Sequence, residues 1–432
     1  MVKTTLEKIK SIRHKLHVEV SAERATKSAN DALLEIQKET SIKGFRKGQV
    51  PLDVLKKYLG AEADKEIAKR IVKDTYVEAL RQQSSIPISE PLVEYEAYVE
   101  GNPFIYRAEF EVTPEVLAPE HEGITLEKEK VVVTDDEIDG EVKRLQHAMT
   151  QLEPAPDSAI GPQTVAIIDF KGTVEGKPFK GSDAENFVVD YGTLLPAFEE
   201  KISGMKAGEE RDITFTYPPD YFNRDIAGKE GIYHVKAKEI RKKIVPEIND
   251  DFAKSLGKFQ NMNEVRQDIK KHITNAKEEY QRRRLGLMAI RHLAEKNAFE
   301  VPDVMIQNEL GSMLEDVARQ LQSHGQTLEE AGLDTKKFIE EHMEEATKRV
   351  RGYLIAFAIA KQGGVSVTDE ELDTRMAAIS RQTNQPVEKV KAHFEKENLK
   401  DQLRSQFLYE KTLDFIVGKA KVKEVKPKKE KK

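Results

Sequence analysis

The sequence predicts a multidomain α+β protein: an N-terminal α+β unit, a central β-rich domain with a short helix, and an all-α C-terminal body of helical arms. Three observations carry this. Strand alternation and helical spacing share the first 112 residues, Gly, Pro and aromatics concentrate over 154–245, and from Asn249 onward the apolar periodicity is almost wholly helical. A length of 432 residues suffices for several domains at ~100–200 residues each. Charged residues are 34% of the chain and hydrophobic ones 38%. That charged share exceeds the usual ~25% and predicts a high ratio of surface to core, as in an elongated or multi-lobed molecule.

Within residues 1–112, Lys15–Ser21 sets Leu16, Val18 and Val20 on one strand face. Ala22–Ser41 spaces Ala25, Ala29, Leu33 and Ile36 as a helix does. Pro51 stands where a helix begins, Leu52, Leu55 and Leu59 follow at helical spacing, and a further helix runs to Gln83. Val93–Val99 and Phe104–Val112 alternate across Gly101-Asn102-Pro103, a hairpin signal. Residues 113–123, rich in Pro and Glu, open a 113–153 segment as a linker. A strand-like Ile124–Val133 and a helix beginning at Thr134-Asp135-Asp136-Glu137 follow. Thr368-Asp369-Glu370-Glu371 repeats that start, and both fit the capping box, in which Thr accepts from the N3 amide and Glu reaches back.

Pro154, Pro156, Gly161 and Pro162 mark the entrance of the β-rich domain at 154–245, and Pro246 marks its exit. Val165–Phe170 and Arg211–Tyr217 are its short alternating runs. In the body at 246–418 the expected helices are Asn261–Asn297, Asp303–Ser323, Asp334–Gln362, Thr368–Gln382, Pro386–Glu397 and Asn398–Val417. Phe338, Ala346, Val350, Tyr353, Leu354 and Phe357 make one broad stripe without a sustained heptad, so packed helical arms are expected rather than a coiled coil.

The net charge of −6 is unevenly placed, since residues 419–432 hold eight Lys and two Glu. Such a run cannot bury apolar surface and reads as a disordered basic tail; electrostatic attraction to RNA or a ribosomal surface is the alternative. Cysteine is absent, which excludes disulfides, Cys-based zinc sites and Cys nucleophiles. The first ten residues lack an apolar h-region, so no secretory signal is expected. The longest weakly polar stretch, Tyr353–Ala360, is far short of the ~20 residues that span a bilayer. A cytoplasmic location without membrane contact follows as the expectation. Ten histidines show no metal-ligand spacing, and Glu340-Glu341 and Glu344-Glu345 read as solvated helix faces. No phosphate-loop pattern precedes a helix, so no nucleotide, metal or other cofactor is expected.

In Gly44-Phe45-Arg46-Lys47-Gly48-Gln49-Val50-Pro51, two glycines bracket an aromatic and two cations. One reading is a connecting loop with Phe45 folded inward. The other is an exposed tip, where Arg46 and Lys47 attract phosphate and Phe45 anchors on an apolar spot. The octapeptide resembles the signature of the trigger factor family, Gly-Phe-Arg-x-Gly-x-x-Pro, and lies between two expected helices as in that family. The resemblance implies that Gly44, Phe45, Arg46, Lys47 and Gly48 form a docking site for the ribosome, touching protein and RNA at the exit-tunnel rim.

A second constellation lies in 163–243: Phe170, Gly172, Phe179, Phe187, Leu194-Leu195-Pro196-Ala197-Phe198, Gly204–Glu209, Phe215, Tyr217, Tyr221 and Tyr233. A small domain can bury these as ordinary core, yet they crowd onto short strands and one helix start, with Pro196 at the first helical position. The arrangement resembles FKBP-type prolyl isomerases, and more closely the trigger factor version of that domain. By that resemblance Phe170, Phe179, Phe187, Leu194, Leu195, Phe198, Tyr221 and Tyr233 line an apolar proline pocket. The Leu195 N–H would donate to the carbonyl of the residue before proline. Two positions depart from the family pattern: Ala197 stands where Gly is usual, and Lys180 where an acidic residue is usual.

The helical region carries Met262, Met288, Met305, Met313, Met343 and Met376, residues that suit either an ordinary core or an adaptable surface. The resemblance covers essentially the whole chain. It implies that the β-rich domain is inserted, that the linker and the segment after Pro246 form one body, and that helical arms cradle nascent and unfolded polypeptides. The expected function is an ATP-independent chaperone at the ribosome with peptidyl-prolyl cis-trans isomerase activity and the option of a homodimer off the ribosome. The alternative is an isomerase first, with domains that recruit its substrates.

Overall fold

A computed structural model describes every residue except Lys43, Lys180, Phe222, His324, Asn398 and 426–432. The substituted position Lys180, the expected helix start at Asn398 and the end of the basic tail therefore lie outside the described residues. Two compact units divide the chain, one of Met1–Lys130 with Tyr280–Lys432 and the other of Val131–Glu279.

The first unit opens with β1 (Val2–Lys10), β2 (Arg13–Val20), α1 (Ala22–Glu39), α2 (Leu52–Leu59), α3 (Ala61–Gln82), β3 (Leu92–Tyr95), β4 (Phe104–Glu111) and β5 (Thr125–Glu129). The second runs through α4 (Asp135–Ala148), β6 (Gln151–Pro154), β7 (Thr164–Val174), β8 (Asp183–Asp190), α5 (Pro196–Ile202), β9 (Glu210–Thr216), β10 (Glu230–Ile244) and α6 (Asp250–Ser255). The long helix α7 (Met262–Lys296) passes from the second unit into the first. The chain continues through α8 (Asp303–Ser323), α9 (Thr335–Gly363), α10 (Asp369–Thr383), α11 (Val387–Lys396), α12 (Lys400–Lys419) and β11 (Lys421–Val425).

In the first unit an antiparallel sheet of order β1-β2-β4-β3 is covered by α1 and α3. Leu16, Val18 and Val20 point into the core against Ala25, Ala29 and Leu33 of α1 and Ile67 and Ile71 of α3. The buried Thr75 hydroxyl donates to the Ile71 carbonyl at 2.6 Å and shares a hydrogen bond with the Tyr106 hydroxyl, so neither polar group is stranded. Strand β1 is an addition to the sequence expectation. Val2 is buried, Leu6 packs on the core and Thr4 between them is half-buried, while Lys3, Thr5 and Glu7 face solvent. The hairpin strand expected over Val93–Val99 stops at Tyr95, although the Glu96 N–H still reaches the Ile105 carbonyl.

The basic tail corrects a second expectation. Lys421–Val425 is a strand rather than disordered, paired in parallel with β5 at Leu126↔Val422 and Glu129↔Val425. The preceding segment packs as well: Val116, Ala118, Ile124 and Leu126 lie on Leu285, Ile290, Ile355, Ile359 and Ile416 of the helices. A further cluster unites Ile306, Leu310 and Met313 of α8 with Phe338, Val350 and Leu354 of α9. The buried Glu111 carboxylate accepts the Asp303 and Val304 N–H groups at 3.1 and 3.0 Å, which anchors the C-terminal end of β4 to the start of α8.

In the second unit the sheet order is β6-β10-β7-β8, with β9 also on β10. Both capping boxes form as the sequence predicts, at Thr134 with Glu137 and, in the first unit, at Thr368 with Glu371. Helix α4 buries Ile138 and Val142 against Ala253, Val265 and Ile269. The molecule is thus a multidomain α+β protein with a helical C-terminal region, and the β-rich domain sits between α4 and α6 in sequence.

Candidate functional site

The β-rich domain builds its aromatic cluster on β7, β10 and the start of α5. Pro196 occupies the first turn of α5, with Leu195 as the cap residue at φ −58°. This turns Phe198 inward, where its ring meets Phe170 at 6.3 Å, Phe215 at 5.6 Å and Tyr233 at 5.6 Å, each edge to face. Phe198 and Tyr233 form the buried floor; Phe170, Phe179, Leu194, Leu195 and Tyr221 are half-buried around it. Phe187 stands at the rim, 38% exposed, with its ring edge-on to Phe170 at 5.5 Å. The aromatic edges carry partial positive charge, so a surface of this kind packs an apolar ring without offering it a hydrogen-bond partner.

Glycine makes the floor possible. A Cβ on Gly172 would sit 2.1 Å from Cε1 of Tyr233, and one on Gly231 would press both Tyr217 and Tyr233 at 3.0 and 3.1 Å. The Tyr217 and Tyr233 hydroxyls meet at 2.6 Å within the core. Burial raises the Tyr217, Tyr221 and Tyr233 phenols above their ordinary value, so all three stay neutral around pH 7.

A bulge orients the rim. The β7–β8 register shifts between Ile168 and Phe170, and Asn186 adopts φ +55° there. The Asn186 N–H donates to the Asp169 carboxylate at 2.7 Å, and Lys238 pairs with the same carboxylate at 2.8 Å. These partners, Lys238 foremost, hold the Asp169 carboxyl below the usual carboxylate range.

The turn before α5 is tied by its own side chains. Glu199 Oε1 accepts the Gly192 and Leu194 N–H groups, each at 2.8 Å. The Leu195 carbonyl accepts from Phe198 and Glu199, while the Leu195 N–H donates to none of the described residues. Phe215, Tyr217 and Glu199 join the site beyond the eight predicted residues. The alternation of Arg211–Tyr217 marks the first two; the Glu199-Glu200 pair gives no sequence signal of burial. Ala197 is half-buried against the same cluster.

The Gly44–Gly48 loop follows α1. Gly44 and Gly48 take φ +99° and +78°, conformations that glycine adopts without steric cost. Ile42 and Val50 are buried at its base against Leu55 and Leu59, and Gln37 donates to the Val50 carbonyl at 2.6 Å. Phe45 remains 41% exposed, so the reading with Phe45 folded inward is not the one adopted. Arg46 and Lys47 are exposed beside it, without an ion pair to any described residue.

A groove of about 760 Å³ runs between α8, α9, α12 and the part of α7 within the first unit. Leu287, Met305, Tyr353 and Tyr409 give it apolar ground. Arg349 pairs with Glu309 and Glu345 at 3.3 and 3.5 Å along its edge. The methionines divide: Met313 and Met376 are core, Met262 and Met305 half-buried, Met288 and Met343 exposed.

The sequence model described as bacterial trigger factor protein matches residues 2–145, and its C-terminal counterpart matches 261–418. Trigger factor of Geotalea uraniireducens is 35% identical over 429 residues, covering 98% of this chain and 99% of its own. The chain belongs to the trigger factor family. That of Halothermothrix orenii is 35% identical over 419 residues, covering 95% of this chain and 97% of its own. The FKBP-type peptidyl-prolyl cis-trans isomerase model matches 157–240, the stretch that contains the aromatic cluster. A solved structure of the trigger factor chaperone shares the fold at TM-score 0.51 and 20% identity, covering 96% of this chain and 99% of that one. The chain is therefore a trigger-factor-type chaperone with an FKBP-type isomerase domain and its prolyl isomerase activity. Among the described residues no helix is long and apolar enough to cross a membrane.

Proposed function

We propose that the chain docks on the ribosome through the Gly44–Gly48 loop, guides nascent polypeptides over its helical grooves without ATP, and isomerises X–Pro bonds at the Phe170–Tyr233 cluster. The division 1–112, 154–245 and 246–418 assigns one task to each region, with 113–153 joining them; a cytoplasmic location goes with this reading. The observation that carries the isomerase assignment is the Leu195 N–H, without an acceptor among the described residues, beside an aromatic floor.

An X–Pro amide rotates slowly because its resonance must be broken, at a barrier of ~18–20 kcal/mol. The twisted amide is less dipolar than the planar one. A dry aromatic surface thus favours the transition state over either planar isomer, and no nucleophile or acid–base pair is required. Leu195 would donate to the carbonyl before proline and hold the peptide while the prolyl ring turns against Phe198 and Tyr233.

Leu195→Pro tests this, because φ −58° already suits proline and the substitution removes the N–H. Isomerisation of a proline tetrapeptide should fall by about tenfold or more with the fold intact; unchanged turnover would refute the role. For the loop, the Phe45→Ala, Arg46→Ala, Lys47→Ala variant should lose co-sedimentation with ribosomes, and equal co-sedimentation would refute docking there.

A further inference from the structure

Glu199 is an acidic side chain in an apolar domain core, only 6% exposed, within the first turn of α5. A buried carboxylate is costly unless its oxygens are hydrogen-bonded. Here Oε1 takes two backbone donors, Gly192 N–H and Leu194 N–H, both at 2.8 Å. Charge-assisted bonds of this kind are stronger than neutral ones. The rest of the turn is closed by the Asp190 carbonyl, which accepts the Thr193 N–H at 3.1 Å and the Thr193 hydroxyl at 2.7 Å. Gly192 sits at φ +100°, a conformation few other residues would hold.

The consequence falls on the next peptide group. On one side of the Leu195 N–H, the Leu194 amide is tied to Glu199. On the other, the Leu195 carbonyl is tied by the Phe198 and Glu199 N–H groups at 2.9 and 3.0 Å. One residue therefore fixes the chain before and after the Leu195 N–H, which has no acceptor among the described residues, through its carboxylate and through its own backbone. Glu200, its neighbour, is exposed and takes no part.

We infer that Glu199 is a positioning residue of the isomerase: its buried carboxylate aims the Leu195 N–H at the carbonyl that precedes proline. The inference rests on the assignment of the proline site to the Phe170–Tyr233 cluster. What matters in this role is an acceptor oxygen at the right reach, more than the charge it carries. Gln keeps the reach and loses the charge. Asp keeps the charge and is one methylene too short to meet both N–H groups.

The test compares full-length Glu199→Gln, Glu199→Asp and Phe170→Ala with the parent chain, in isomerisation of a proline tetrapeptide and in the amide NMR signals of Gly192, Leu194 and Leu195. Glu199→Asp is expected to lose kcat by about 10- to 100-fold with KM little changed, the scale of an ångström-sized misplacement. Glu199→Gln is expected to stay within about threefold of the parent chain. A merely structural Glu199 would instead lower both variants in step with their thermal stability. Equal activity of Asp and parent, or an active Asp with an inactive Gln, would overturn the inference. Should Glu199→Asp fail to fold, a Glu199→Gln variant that folds yet turns over tenfold or more slowly overturns it alone. Phe170→Ala separates the two claims: if it isomerises normally, the pocket assignment fails; if only it is impaired, the role of Glu199 fails.

Discussion

The aromatic cluster of the β-rich domain and the groove between α8, α9 and α12 are the two surfaces that the proposed function gives to polypeptide, yet they are built in opposite ways. The cluster is organised from beneath: Phe198 and Tyr233 are buried, two glycines clear room for the rings, and the hydroxyls of Tyr217 and Tyr233 satisfy each other at 2.6 Å. The groove is organised from its edge, by Arg349 bridging Glu309 and Glu345, with Met305 and Tyr353 only partly covered. Fixed rings discriminate one shape. A flexible thioether, that of Met305, among exchangeable ion pairs accepts many. By the proposed function one molecule holds a selective site and a permissive one.

The contrast predicts that single changes hurt the cluster far more than the groove. The largest effect should come from Gly172→Ala, because the added methyl would lie 2.1 Å from the Tyr233 ring. Overpacking of a filled core costs about 1–3 kcal/mol, and the displaced floor should also abolish most isomerisation. Thermal melting and a tetrapeptide assay check both. Next, Tyr217→Phe strands the buried Tyr233 hydroxyl and should cost about 1–3 kcal/mol in denaturant unfolding, with weaker loss of turnover.

The groove responds more mildly. Burial pushes the Tyr409 phenol from its ordinary value of 10.0 up to about 12. Between those values the unfolded chain has lost a proton that the folded chain keeps, so this contribution to stability is whole below pH 10 and disappears as pH rises through about 12. Tyr409→Phe should therefore flatten the alkaline fall in melting temperature. The smallest effect belongs to Arg349→Ala, which removes two half-exposed ion pairs and should change stability by less than about 1 kcal/mol.

The same contrast governs what the sequence discloses. Helices α9 and α10 announce themselves through local chemistry, in Asp334 and Thr368 as caps and in the stripe of Phe338, Val350 and Leu354. Pro196 likewise announces the start of α5. Strand β11 does not, because five residues of Lys, Val and Glu become a strand only against β5, nearly three hundred positions earlier. Glu199 is equally silent: a Glu-Glu pair on a short helix looks solvated until the turn it closes is seen in three dimensions. The loop at Gly44–Gly48 lies between these cases. Its glycines predict the turn, whereas the exposure of Phe45 depends on Ile42 and Val50 burying the base.

In the proposed function the selective and the permissive surface act separately. The most direct measurement uses a full-length Phe170→Ala, Tyr221→Ala variant, assayed for tetrapeptide isomerisation and for suppression of aggregation of a denatured protein free of cis-proline. Isomerisation lost with aggregation suppression unchanged is the predicted result. Parallel loss of both in a variant that remains folded would contradict it.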